Sequence, residues 1–189
     1  MCCCPAPRSP LRRADASARW AQTTDSPSGI SVRLPGRAET HESDDNGVES
    51  HCYLVQTAYG VIGFSVEDVP GTDPSAPWDL RGSLKAAVDG YDSPSSDDVL
   101  RSTGVTEGVP ADGHREPDAE LTAPDGTRGH IRLVDQGTYL LTVFTASVHG
   151  HRDEMDRDHQ RALDSITVPA GHDAQSGRGT QSDEVPRSA

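Results

Sequence analysis

The chain has 189 residues, a formal net charge of −13 and 33% hydrophobic residues, with aromatics at only 4%. An acidic chain of this kind repels phosphate backbones and anionic lipid, which argues against nucleic acid and membrane surfaces as partners. Its longest apolar run, Tyr139 to Phe144, falls far short of the roughly 20 residues of a spanning helix, so no transmembrane segment is expected.

The 32 Leu, Ile, Val and Phe residues are concentrated, 30 of them lying between Ile30 and Val168. That density supports one modest core. The flanks are rich in Pro, Ser, Gly and charge without periodicity. They predict three regions: a disordered tail over 1–29, a single domain over 30–168 and a second disordered tail over 169–189. Met1 leads directly into Cys2, Cys3 and Cys4 with no apolar stretch, so the expected location, as written, is cytoplasmic. An envelope lipoprotein or secreted form would need a start upstream of Met1. Cys2, Cys3 and Cys4 are neighbours in sequence that cannot staple a fold, which leaves Cys52 alone in the body and predicts a reduced, buried strand residue.

Taken in chain order, Ile30 to Gly36 alternates like a short strand that ends on Pro35-Gly36. His41 to Gly47 is polar and acidic and predicts a loop closing on Asn46-Gly47. Tyr53 to Tyr59 and Val61 to Val69 flank Gly60 as a hairpin, with Ile62, Phe64 and Val66 on one face. Leu80, Leu84, Ala87, Val88 and Tyr91 recur at helical spacing and predict a helix over 79–91. A strand is expected over 99–105. Three more follow at 115–121, 128–134 and 138–148, joined by turns short enough to force antiparallel pairing.

Within the last of these, Tyr139, Leu141 and Val143 point one way while Leu140 and Phe144 point the other. A strand apolar on both sides belongs in the middle of a covered sheet. Met155, His159, Ala162 and Leu163 form the stripe of a second helix over 153–163, with acids at its dipole-positive start. A final strand is expected over 165–168. The order predicts an α+β fold, a largely antiparallel sheet flanked by two helices.

Several local patterns together resemble a PsbP-like domain. They are V-x-L-P-G at Val32 to Gly36, V-E-D-V-P at Val66 to Pro70, G-H-R-E at Gly113 to Glu116, T-Y-L-L-T-V at Thr138 to Val143, and A-L-D-S-I-T-V at Ala162 to Val168. Within that group the chain is similar to uncharacterised actinobacterial members and LpqN-type lipoproteins. The resemblance spans about residues 30–168. It implies a non-enzymatic sandwich that binds a protein partner or small ligand, as PsbP does on photosystem II, with no cofactor.

His149-Gly150-His151-Arg152-Asp153 supplies the sharpest alternative. H-x-H-x-D at the exit of a buried strand offers the nitrogen and oxygen ligands that zinc prefers, as in small metal-dependent hydrolases. Against it, the sixth position is Glu154 where that motif has His, and few downstream residues remain to complete a site. A polar turn into an acid-started helix explains the same residues. His159 reads as a packing residue of its helix stripe and His130 as strand polarity. His51 and Cys52, adjacent on a strand, point to opposite faces and cannot pair. Glu42, Asp44, Asn46 and Gly47 superficially match a calcium loop, but the twelfth position is Tyr53 where a bidentate Glu is required. No nucleophile elbow, phosphate loop or dinucleotide fingerprint is present. The expectation is therefore a non-catalytic binding or accessory domain whose partner the sequence does not name.

Overall fold

A computed structural model describes residues 19–45, 47–68, 78–90, 101–108, 116–148 and 150–169. Eleven elements run β1 (Ala21–Thr24), β2 (Ser31–Leu34), β3 (Glu39–Asp45), β4 (Val48–Gln56), β5 (Gly60–Asp68), α1 (Leu80–Gly90), β6 (Arg101–Gly108), β7 (Glu116–Thr122), β8 (Arg128–Gln136), β9 (Tyr139–Ser147) and α2 (Arg152–Leu163). Seven strands form one sheet in the order β3-β4-β5-β9-β8-β7-β6, antiparallel throughout, and β1 pairs with β2 separately. The α+β class, with its antiparallel sheet and two helices, is as expected.

β9 lies between β5 and β8, as its double-sided apolarity requires. Leu141 and Val143 enter a core with Tyr53, Val55, Ile62, Phe64 and Val66, closed by Ile30, Val32 and Leu34 and by Met155 and Ala162 of α2. Leu140 and Phe144 enter the opposite core with Leu54, Leu121, Ile131 and Leu133, closed by Leu84 and Val88 of α1. Each such side chain, once buried, contributes roughly 1.5–3 kcal/mol, so the central strands carry much of the fold's stability. Tyr53 and Phe64 face each other across β4 and β5 with rings stacked at 4.7 Å.

The helices are pinned at their starts. Asp79 caps α1, its Oδ1 accepting from the Gly82 amide at 3.1 Å, while Trp78 Nε1 donates to the Gly137 carbonyl at 2.8 Å. That pair holds α1 against the β8–β9 turn. α2 carries Asp153 and Glu154 in its first turn and Arg161 in its last, both matched to the helix dipole. Gly129 shows why β8 runs so close to β9: a Cβ there would lie 1.8 Å from the Thr145 carbonyl oxygen.

Four expectations need correction. The acidic stretch predicted as a loop is β3, paired with β4 at every position from Glu39 to Asp45, and only the reversal at Gly47, with φ +81°, remains as expected. A strand exposed on both faces has no apolar alternation to reveal it. The folded body also begins before residue 30: β1 lies inside the predicted tail, and Asp25 and Ser28 are buried. The predicted final strand shrinks to a single bridge, Thr167 with Ser31. Cys52 is buried, but it is in a disulfide rather than reduced, and the other half of that bridge lies outside the described residues. A run of adjacent cysteines cannot staple a fold by itself, but that does not bar a bridge from Cys52 to a cysteine distant in sequence. Residues 1–18 and 170–189, and the Gly113 to Arg115 part of the G-H-R-E pattern, also lie outside the described residues.

Candidate functional site

Buried polar groups gather at two places on the face of the sheet shared by α2 and the β1–β2 pair. The first is built on the turn Asp25-Ser26-Pro27-Ser28-Gly29 between β1 and β2. Asp25 is 0% exposed, and its carboxylate accepts from the amide and the hydroxyl of Ser28, from the Tyr53 hydroxyl at 2.9 Å and from His51 Nδ1 at 2.8 Å. Burial alone pushes this carboxyl's pKa upward. The bonds from Ser28, Tyr53 and His51 outweigh it and hold the group below the ordinary carboxylate value. Because an ionised carboxylate only accepts, the proton in the His51–Asp25 bond sits on Nδ1. Tyr53 is driven the other way, its phenol pKa raised by burial and then by Asp25.

The second place lies between α2 and the strands β8 and β9. His130 Nε2 is 3.0 Å from Asp156 Oδ1, and the His130 and His159 rings stand 5.3 Å apart. His159 is 5% exposed; its Nδ1 approaches Thr145 Oγ1 at 3.5 Å and its Nε2 has no partner. Burial, followed by the neighbouring His130, lowers the His159 pKa to about 4. The imidazole is therefore neutral at physiological pH. Outward from it runs a half-exposed ladder of ion pairs. Arg132 holds Asp118 through Nε at 2.9 Å and Nη2 at 2.6 Å, and Arg152 reaches Glu120 at 3.1 Å and Asp156 at 3.4 Å. The His130–Asp156 and Arg152–Glu120 pairs fasten α2 to the sheet, and Arg132–Asp118 ties β8 to β7. Tyr59 adds a further tie, its hydroxyl donating to Asp158 at 2.6 Å, with its pKa pushed up to about 12 by burial and then by that carboxylate.

The H-x-H-x-D residues are placed as follows. His149 lies outside the described residues. His151 and Asp153 are exposed at the start of α2; His151 Nδ1 is 3.9 Å from Glu154 Oε1, and Arg157 Nε donates to the Asp153 backbone carbonyl at 3.0 Å. Among the described residues no group of three or more His, Cys, Asp and Glu is disposed to hold a metal ion. His51 and Cys52 face opposite sides as expected, whereas His51 has a partner, Asp25, that lies within the predicted tail. D-S-P-S-G is a recognisable turn signal, and it was the only sequence clue to that partner.

The sequence matches no family model and no curated protein. In structure the chain is similar to cyanobacterial PsbP from Synechocystis sp. PCC 6803, solved in solution. The TM-score is 0.57 at 12% identity, over 80% of this chain and 94% of that one. The fold is therefore PsbP-like, covering nearly the whole of that protein.

Proposed function

We propose that this chain is a non-catalytic accessory domain that works by engaging a partner protein through its surface. The observation that carries the reading is Asp25. The most deeply buried carboxylate among the described residues accepts four hydrogen bonds, all from groups that hold the β1–β2 turn on the sheet, which leaves it no capacity for a substrate. His159 and Asp156 likewise serve the attachment of α2. Among the described residues, the buried Asp25 and His159 are thus used in construction, and what remains for recognition is charge displayed outside the two cores. The PsbP-like fold supports the same reading by analogy.

The disulfide at Cys52 supports export over a cytoplasmic location, since such bonds persist in oxidising compartments. No helix among the described residues is long and apolar enough to cross a membrane.

The test is site-specific photo-crosslinking in the native cells, with the photoreactive residue placed at Glu42, Glu120 or Arg157 of the full chain. One adduct of defined mass, arising from one region of the surface and competed by unlabelled protein, is expected. Failure of every position to give such an adduct would overturn the proposal.

A further inference from the structure

The two edges of the seven-stranded sheet are built differently. β6 breaks its register between Thr103 and Thr106, with Gly104 at φ +61° and Val105 52% exposed. A bulge of this kind twists an edge away from any strand that might add to it. β3 has no such device. It pairs with β4 at seven consecutive positions without a break and contains no proline. Among the described residues no strand meets its other side. Its outward N–H and C=O groups form an open ladder of about 23 Å at ~3.3 Å per residue.

The side chains along that ladder are acidic on both faces. Thr40, Glu42 and Asp44 share the face of His51, and Glu39, His41 and Ser43 share the other. Glu39, Thr40, Glu42, Ser43 and Asp44 are all exposed. Among the described ion pairs, none involves Glu39, Glu42 or Asp44.

We propose that β3 is a docking edge for an extended, Lys/Arg-rich segment of a partner protein, which adds to the sheet as an eighth strand. The inference rests on the accessory-domain reading and gives it a surface and a partner chemistry. Main-chain hydrogen bonds to the open edge supply affinity, and charge selects the occupant. A second copy of this chain is a poor occupant, because pairing β3 with β3 would set acid against acid across the new ladder. The same charges favour a basic strand. They therefore act as a guard against self-association and as a filter for the partner.

The experiment uses the full chain and a ten-residue peptide of alternating Lys and Thr. Two controls accompany it: the same peptide methylated at every backbone nitrogen, which keeps the charge but cannot donate to a ladder, and an alternating Glu and Thr peptide. Binding is read by fluorescence anisotropy and by hydrogen exchange over residues 39–45. The unmethylated basic peptide should bind at least tenfold more tightly than either control and slow exchange in β3. The double variant Glu42→Lys, Asp44→Lys should lose that binding at least tenfold with its melting temperature unchanged. Equal binding of the methylated peptide, or unaltered exchange in β3, would overturn the inference. If the double variant, carrying the photoreactive residue at Glu120 or Arg157, still gives the in-cell adduct, the docking edge is wrong and the accessory reading stands; if no position ever gives one, the accessory reading falls as well.

Discussion

The Tyr53 hydroxyl donates a 2.9 Å hydrogen bond to Asp25 Oδ1, tying the middle of the sheet to the turn of the β1–β2 pair. Ser28 and His51 complete the shell of that carboxylate. Asp25→Ala would strand the Tyr53 and Ser28 hydroxyls without their acceptor in a dry environment. A destabilisation of about 3 kcal/mol is expected, because buried donors lose a charged partner and gain no water. Asp25→Asn keeps the shape, loses the charge and should cost less. Urea unfolding at neutral pH measures both, and an Asp25→Ala midpoint equal to the parent's would show that the shell is not needed.

Because its pKa is lowered on folding, Asp25 also contributes stability that is fully present above the unfolded carboxyl value of 3.8 and is lost as pH falls through its folded value. The Asp25→Asn chain should therefore lose less stability than the parent when both are taken below that range.

The parts of this fold that bury apolar surface were legible in the sequence, and the parts that bury polar groups were not. β9 announced its central place because Leu140 and Phe144 oppose Leu141 and Val143 along a six-residue run interrupted only by Thr142. α2 announced its inner face through Met155, His159 and Ala162. β3 was hidden because an edge strand wet on both faces needs no hydrophobic period. Asp25 was hidden more deeply: its short polar turn has the composition of a disordered tail, and its partners His51 and Tyr53 are more than 20 residues away. Long-range hydrogen bonding of this kind leaves no local pattern to read.

Gly129 supplies a packing prediction. A methyl group there would meet the Thr145 carbonyl oxygen at 1.8 Å and the Ala146 Cα at 3.0 Å, both of them backbone atoms of the central strand. Neither can swing aside as a side-chain tip would. Gly129→Ala is expected to lower stability by about 3 kcal/mol, the upper end of overpacking costs, with the β8–β9 amides losing exchange protection. A loss below about 0.5 kcal/mol would mean that β8 can shift freely on β9.

Cys52 supplies a chemical one. It is disulfide-bonded, and the chain's other cysteines are Cys2, Cys3 and Cys4. Iodoacetamide applied to the denatured, unreduced protein should leave Cys52 unmodified, and labelling should follow reduction. An intrachain bridge must join the Cys52 peptide to one containing residues 2–4, which mass mapping without reductant would identify. Alkylation of Cys52 before reduction would return it to the reduced state and remove the argument for an oxidising compartment.

His159 makes the fold's stability depend on pH in the mildly acidic range. It faces His130, Asp156, Thr145, Asp118 and Arg132, with its Nε2 buried and unpartnered. Burial, then His130, holds its folded pKa at about 4 against 6.5 in the unfolded chain, so the unfolded state binds the proton more readily. Stability from this group is accordingly complete above about pH 6.5, declines as pH falls below that value, and is exhausted near pH 4. A difference of this size corresponds to about 3 kcal/mol. His159→Met fills the same place without a titratable group and should match the parent closely at pH 7.5. At pH 4.5 the parent should have lost roughly 2–3 kcal/mol more than the variant, read from urea midpoints at the two pH values. Parallel losses in the two proteins would show that another group governs acid unfolding. A difference of the expected sign would identify His159 protonation as a source of the fold's acid sensitivity.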